Sequence, residues 1–188
     1  VIYIIHLDTL TERKYSIIKQ IQKFQLKNIV IIDAINKNEI NNIKLRKNEL
    51  VAYGGNKYCK TAIINDRGDK CWCQGNGHND VCDFGGRVAC AYSHYFVYKD
   101  ILEKGYKKCL ILEDDFVLEE TLHQLFHSVF DDIPKNWELL YFCNSRFINL
   151  NGGQSEYNNS FVKTKNGLVD SGCYAITETS AKIMFDNF

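Results

Sequence analysis

Three large aliphatic residues lead directly into three consecutive carboxylates at residues 110–115. The apolar half is typical of a short strand that is buried on both faces of a parallel sheet beneath helices. Carboxylates cannot be buried without partners, because removing each charge from water costs several kcal/mol. We therefore expect Glu113, Asp114 and Asp115 at the carboxyl end of a strand, where open α/β sheets bind ligands. There they lie in water or around a hard divalent cation, although an acidic loop that merely ends a strand has the same pattern.

The chain around this block alternates between strand and helix patterns. Residues 1–7 and 28–32 are apolar runs that predict buried strands, and isoleucines at helical spacing lie between them. Thr9 and Glu12 have the spacing of a capping box at the start of that helix. The order strand, helix, strand predicts a parallel sheet.

The remaining patterns continue the alternation. Further helices are predicted at residues 87–103, at 122–130 and from Glu178, with Thr177 as a cap, and further strands at 137–142 and 171–177. Gly105 ends the first of these helices. The resulting fold class is α/β, a Rossmann-like layer architecture of a mostly parallel sheet flanked by helices.

Length and charge limit the domain count and the partners. The 188 residues predict one domain with an insertion, and the formal net charge of zero gives no indication of a nucleic-acid partner. No apolar run approaches the roughly 20 residues of a membrane span, and no signal peptide is evident. Val1 begins inside a strand pattern and Phe188 ends inside a helix pattern, so we expect both ends to be trimmed.

The eight cysteines form two groups. Cys59, Cys71, Cys73 and Cys82 lie with His78 in a polar, glycine-rich insertion at about residues 57–83. Disulfides, free thiols and a zinc site all remain open there, since zinc sites usually contain Cys-x2-Cys and this stretch has Cys-x-Cys. The other four are in apolar or helical contexts that favour small buried hydrophobes, namely Cys90, Cys109, Cys143 and Cys173.

Four blocks and a late strand follow one another in a specific order. They are Tyr3-Ile-Ile-His-Leu-Asp8 with Arg13 downstream, Ile32-Asp-Ala34, Val88-Ala-Cys-Ala-Tyr-Ser-His94, Leu110-Ile-Leu-Glu-Asp-Asp115, and Ser171-Gly-Cys-Tyr-Ala-Ile-Thr177. In this order and spacing they resemble glycosyltransferase family 25, the family of lipopolysaccharide-sugar and collagen galactosyltransferases. Composition and the Asn-rich loops are most similar to its giant-virus members.

The sequence departs from the family pattern in three places. His6 stands where the family usually has Asn, and Cys143-Asn144 follows the strand at 137–142 where Leu-Gly is usual. The cysteine-rich insertion is not a general family feature. The compartment stays open: host cytoplasm or virion for a viral protein, or the secretory pathway if the insertion is disulfide-bonded.

The resemblance implies a GT-A fold, a UDP-sugar donor, a divalent metal, Mn²⁺ or Mg²⁺, and transfer with inversion. The acceptor would be a hydroxyl of a glycan or of hydroxylysine in a collagen-like protein. Two other functions use the same features. One is a non-catalytic nucleotide-sugar or glycan-binding module of this fold, and the other is a metal-dependent phosphoryl-transfer enzyme.

Strand alternation assigns the acidic block. Alternate residues of a strand point to the same side, so Glu113 and Asp115 are the predicted metal pair. Asp115 would bind the metal directly, whereas Glu113 would bind ribose or a metal-bound water. Asp114 then points the other way and anchors the loop.

The other candidates lie at strand ends or on the helix at 87–103. Asp8 and Asp33 follow the first two strands and could accept hydrogen bonds from ribose or base, whereas an ordinary cap or ion pair is the plainer interpretation of Asp8. Arg13 could reach a phosphate or pair with a nearby acid. Ser93 and His94 contact the donor or acceptor, or else His94 packs the helix against the sheet.

The general base has one candidate. Inversion requires a carboxylate that deprotonates the acceptor hydroxyl. Asp170, just before the last strand, is best placed by order, although it could equally be a turn residue.

Overall fold

The computed structural model describes residues 1–38, 84–118, 120, 132–142, 155–156, 162–163 and 172–188. The elements in these residues are, in chain order, β1 (Ile2–His6), α1 (Thr11–Lys23), β2 (Ile29–Asp33), α2 (Phe84–Lys104), β3 (Lys108–Glu113), β4 (Leu139–Tyr141), β5 (Ser155–Glu156), β6 (Val162–Lys163), β7 (Cys173–Thr177) and α3 (Glu178–Asp186).

Five strands form one mixed sheet in the order β2-β1-β3-β7-β4. Strand β1 pairs in parallel with both β2 and β3, whereas β7 runs antiparallel to β3 and to β4. Strands β5 and β6 pair with each other in a separate two-stranded sheet. The predicted α/β fold is confirmed: a Rossmann-like sheet flanked by helices, consistent with GT-A, in which β7 runs against its neighbours.

The two faces of the sheet bury different side chains, because successive residues of a strand point to opposite sides. On one face Ile4 and Leu112 pack with Ile17 of α1. On the other face the buried cluster contains strand residues together with residues of α2 and α3, namely Tyr3, Ile5, Val97, Tyr98, Ile101, Cys109, Ile111, Tyr174, Ile176 and Ala181. Each large apolar side chain buried in this way stabilises the fold by about 1.5–3 kcal/mol.

The predicted capping box at Thr9 and Glu12 is wrong. Helix α1 begins at Thr11 after Leu10, which makes no side-chain cap hydrogen bond. The backbone N–H of Leu10 donates to the carbonyl of Leu7 at 2.8 Å. This tight turn leaves Thr9 before the helix, out of register with its first N–H groups.

Two other predicted helix ends are confirmed. Gly105 follows α2 with φ +68°, and its N–H and that of Tyr106 donate to the carbonyls of Leu102 and Ile101. This pair of bonds is a Schellman motif, which needs a left-handed residue. Thr177 caps the start of helix α3, because its hydroxyl accepts from the N–H of Ser180.

The predicted helix at 122–130 lies outside the described residues. Within the described part of the chain, no helix combines the length and apolar character that crossing a membrane requires.

Candidate functional site

A pocket of about 460 Å³ lies at the carboxyl ends of β1, β2 and β3, where parallel sheets of this kind bind ligands. Its lining comes from these strand ends, from the start of α1 and from the first half of α2: Ile5, Leu7, Leu10, Arg13, Ala34, Ile35, Asn36, Lys37, Asn38, Gly86, Ala89, Cys90, Ser93, His94, Glu113 and Asp114. Four of the sequence candidates, Arg13, Ser93, His94 and Glu113, therefore meet in one cavity.

The acidic block divides at Glu113, where β3 ends. The N–H of Phe116 donates to the carbonyl of Glu113 at 3.2 Å, which closes a turn over Asp114 and Asp115. Strand alternation therefore stops before Asp115. The Asp115 carboxylate lies 3.8 Å from Nη1 of Arg13, with 59% of its side chain exposed.

Asp114 is buried and bound from three directions. Its Oδ1 accepts from Arg13 Nη1 at 2.5 Å, and its Oδ2 contacts Nδ1 of His6 at 3.1 Å and accepts from the N–H of Leu7 at 3.3 Å. The hydrogen bond to Asp114 raises the pKa of Arg13, so the guanidinium stays charged. Both oxygens of Asp114 therefore serve to fix α1 and the end of β1 against the end of β3.

Glu113 faces helix α2, on the side of the sheet opposite Asp114. Its Oε1 lies 3.2 Å from Nε2 of His94 and 3.7 Å from Sγ of Cys90, which are one helical turn apart. Nδ1 of His94 is hydrogen-bonded to the Tyr174 hydroxyl at 2.7 Å, and that hydroxyl to Tyr98 at 2.8 Å. A buried polar chain thus runs from the pocket into the core.

Burial sets the protonation of the two phenols in this chain. It raises the pKa of Tyr98 to about 12 and that of Tyr174 well above the ordinary value of 10.0. Both hydroxyls therefore keep their protons at neutral pH, and His94 has a neutral partner on Nδ1.

Ser93 joins α2 to the segment after β2. Its hydroxyl donates to the carbonyl of Ala89 at 2.7 Å and accepts from the N–H of Ile35 at 2.9 Å. The contact ties α2 to residues 34–38, which line the pocket.

Asp8 and Asp33 lie at the ends of β1 and β2 and are exposed. The Lys14 ammonium donates to Asp8 at 2.7 Å, and this hydrogen bond holds the pKa of Asp8 below its ordinary value. Asp33 is in register with His6 in the parallel ladder. Neither is among the residues that line the pocket.

Asp170, Cys143 and the insertion at 57–83 lie outside the described residues. Gly172, two positions after Asp170 in the sequence, accepts from the backbone N–H of Glu113 at 2.9 Å.

Three residues that contact the predicted site residues could not be assigned from the sequence. Cys90 was interpreted as a buried hydrophobe but is half-buried beside Glu113, although its spacing of four to His94 was a signal for a shared helix face. His6, noted only as a departure, holds Asp114. Tyr174 had no local signal, because its partner His94 is 80 residues away.

The family model described as Glycosyltransferase family 25 (LPS biosynthesis protein) matches residues 1–188, the entire chain. The chain belongs to glycosyltransferase family 25.

Similar proteins within family 25 match a short part of this chain. Procollagen galactosyltransferase 2 from Mus musculus is 31% identical over 64 residues, which is 32% of this chain and 10% of that protein. A glycosyltransferase 25 family member from Aedes aegypti is 30% identical over 63 residues, which is again 32% of this chain and 10% of that protein. The probable inactive glycosyltransferase 25 family member 3 from Rattus norvegicus is 27% identical over 59 residues, which is 30% of this chain and 10% of that protein. The matched segment spans about a tenth of these relatives.

Proposed function

We propose that this chain forms the donor site of a metal-dependent, inverting glycosyltransferase, which moves a sugar from a UDP-sugar to an acceptor hydroxyl. The observation that carries the proposal is the pocket at the ends of three parallel strands, where Glu113, Arg13 and the segment at residues 34–38 meet. Membership of family 25 and the similarity to a procollagen galactosyltransferase support the reaction class. The acceptor is then a glycan or hydroxylysine in a collagen-like protein.

The donor would lie across the strand ends. Arg13 is held by Asp114 and lines the pocket, so its guanidinium suits a diphosphate oxygen. Ser93, His94 and the backbone at residues 34–38 form the opposite wall. The exposed Asp8 and Asp33 lie at the carboxyl ends of β1 and β2. We assign them to contacts with the ribose and the base of the donor.

The residues present fit a hard divalent cation, Mn²⁺ or Mg²⁺. The Asp115 carboxylate is largely exposed, and that of Glu113 lines the pocket. Carboxylate oxygens are the donors that such cations prefer. Asp114 fits poorly, because both of its oxygens already have protein partners. Glu113 and Asp115 would be the residues that hold the cation, and the cation would supply positive charge for the leaving diphosphate.

Asp170 is our candidate for the general base. It precedes Gly172, whose carbonyl is bonded to Glu113 at the metal side of the pocket. In this role the Asp170 carboxylate would take the proton of the acceptor hydroxyl as the bond to the sugar forms.

Calorimetric titration of UDP and of several UDP-sugars, with Mn²⁺ or with excess chelator, tests the donor site. We expect binding only with the cation, and we expect Asp115→Ala to abolish it while leaving thermal unfolding unchanged. Lys23→Ala, on the exposed face of α1, is the control and should bind normally. Equal UDP affinity in chelator would contradict the proposal.

A second function is favoured by one comparison, because the rat relative carries the name probable inactive. A non-catalytic module of the same fold would bind the UDP-sugar with Mn²⁺ and never release free UDP in the presence of acceptors. Release of inorganic phosphate from the nucleotide would instead indicate phosphoryl transfer. Product analysis after the titration therefore separates the three functions.

A further inference from the structure

Three metal-ligating groups of different chemistry converge at the wall of the pocket. The sulfur of Cys90, a ring nitrogen of His94 and a carboxylate oxygen of Glu113 all lie within 4.8 Å of one another. Two of these separations are 3.2 Å, from Nε2 of His94 to Oε1 of Glu113, and 3.7 Å, from Sγ of Cys90 to the same oxygen.

These separations suit a tetrahedral ion. Zinc bonds of about 2.0 Å to nitrogen or oxygen and about 2.3 Å to sulfur place neighbouring ligands about 3.3–3.7 Å apart. The helix supplies two ligands on one face at a spacing of four, and the last residue of β3 supplies the third. Since all three line the pocket, a fourth position faces the cavity.

The surroundings of His94 provide an independent second observation. Histidines that bind metals through Nε2 almost always donate Nδ1–H to a fixed acceptor, which sets the tautomer and the ring orientation. The hydroxyl of Tyr174 lies 2.7 Å from Nδ1, so it can accept the Nδ1–H of His94. It can at the same time donate a hydrogen bond to the hydroxyl of Tyr98 at 2.8 Å. His94 is buried and therefore held in this orientation.

We propose that Cys90, His94 and Glu113 form a site for a thiophilic divalent cation of the zinc class, with Tyr174 as the residue that positions His94. A thiolate and an imidazole select such ions over Mn²⁺ and Mg²⁺, which prefer oxygen. The site is thus chemically distinct from the Glu113 and Asp115 pair.

The two sites share Glu113, so they exclude each other. This consequence rests on the proposed function, in which Glu113 belongs to the donor-bound cation. A zinc-class ion bound to Glu113 would then inhibit donor binding, because the Glu113 carboxylate would no longer be available to the donor-bound cation.

Titration with Co²⁺ as a spectroscopic probe tests the site without reference to activity. Thiolate-to-cobalt charge transfer in the near ultraviolet counts sulfur ligands, and the visible bands indicate tetrahedral geometry. The chain has further cysteines outside the described residues, so the decisive quantity is the difference in sulfur ligation between the wild type and Cys90→Ser. Cys173→Ser is the matched control, since Cys173 packs with the cluster on the opposite face of the sheet.

We expect Cys90→Ser and His94→Gln each to bind one Co²⁺ fewer than the wild type and Cys173→Ser. We expect Tyr174→Phe to keep the stoichiometry and to weaken that site about 10–100-fold, the usual effect of losing an outer-shell partner. Unchanged stoichiometry and charge-transfer intensity in either Cys90→Ser or His94→Gln would overturn the proposal. Having two ligand variants keeps the test decisive if one of them does not fold.

Competition separates this proposal from the proposed function. With Mn²⁺ present, we expect equimolar Zn²⁺ to lower UDP affinity in the wild type by about tenfold or more and to have no effect in Cys90→Ser. Absence of UDP binding under all conditions would contradict the donor site and leave the Co²⁺ result standing. UDP binding that is equally insensitive to Zn²⁺ in both proteins would contradict the shared use of Glu113.

Discussion

Asp114 and Asp115 are adjacent in the chain and have opposite environments. Asp114 is buried and accepts from a guanidinium and a backbone N–H beside the His6 ring, whereas Asp115 is largely exposed. A buried acceptor that loses its hydrogen bonds leaves its donors unsatisfied, which costs about 1–3 kcal/mol. An exposed ion pair contributes about 0–1 kcal/mol. The two carboxylates are therefore expected to differ in how much they contribute to the stability of the fold.

We predict that Asp114→Asn lowers the free energy of unfolding by about 1–3 kcal/mol. The amide replaces an oxygen that faces Arg13 or His6 with a group that repels their N–H donors. Urea denaturation measures the change, with Asp115→Asn as the control, which should stay within about 1 kcal/mol of the wild type. Equal unfolding midpoints for the two variants would show that the contacts of Asp114 do not stabilise the fold.

Helix α2 carries one wall of the pocket and must stop where β3 begins. Gly105 provides the stop, because its φ of +68° closes the Schellman motif and turns the chain toward Lys108. A β-carbon at this position would meet no atom within 4 Å. The requirement for glycine here is therefore conformational, with no contribution from steric crowding.

We predict that Gly105→Ala destabilises the protein by about 1–2 kcal/mol, the cost of a left-handed conformation for an L residue. Lys104→Ala, one residue earlier on the exposed end of α2, should change stability by less than about 0.5 kcal/mol. Thermal unfolding of both variants measures the difference. A Gly105→Ala protein as stable as Lys104→Ala would mean that α2 can end in another way.

Glu138 connects the start of β4 to the junction of β7 and α3. Its Oε2 accepts from the hydroxyls of Ser180 and Thr177, each at 2.8 Å. These bonds, first that from Ser180, hold the pKa of Glu138 below its ordinary value of 4.5. Because the folded-state pKa is lowered, the contribution is present above pH 4.5 and is lost as the pH falls through the folded-state pKa.

We predict that Glu138→Gln flattens the acid limb of the stability profile. The wild type should lose more stability than the variant between neutral pH and the region below 4.5, since only the wild type must protonate this side chain. Ser180→Ala removes the first of the two hydrogen bonds that lower the pKa of Glu138, and it should fall between the two. Denaturation midpoints measured across the pH range give the comparison, and parallel curves for all three proteins would refute it.

The arrangement of the strands as a group produces the pocket. Three parallel strands end side by side, and helices α1 and α2 approach these ends from opposite faces of the sheet. Directly before the antiparallel β7, the carbonyl of Gly172 accepts from the Glu113 N–H, so the start of β7 lies beside the end of β3.

We predict that Asp170→Asn retains UDP-sugar binding with Mn²⁺ and lowers transfer by about 100-fold or more, the usual scale for a lost general base. Calorimetry measures binding, and release of UDP in the presence of acceptor measures transfer. Asn187→Ala, at the end of α3 and away from the pocket, should transfer normally. Near-normal transfer by Asp170→Asn would exclude this residue as the base.

Local pattern was sufficient for most of the described elements and for the position of the acidic block at the end of β3. Apolar runs predicted β1, β2, β3 and β7, because a buried strand needs contiguous aliphatic residues and contains them in its own segment. The acidic block after β3 predicted a candidate ligand site at the strand ends, because three carboxylates cannot be desolvated without partners. The order of the blocks predicted the family. Each of these signals is contained in one short stretch of chain.

The partners of the acidic residues were decided by the tertiary structure. Asp114 meets Arg13 and His6 across separations of 101 and 108 residues, and His94 meets Tyr174 across 80. Alternation along β3 predicted Asp115 on the side of Glu113, but the turn after Glu113 ends that alternation and leaves Asp115 near Arg13. Which helix covers each face, and therefore which carboxylate is buried, depends on packing between distant segments, and no local period encodes that choice.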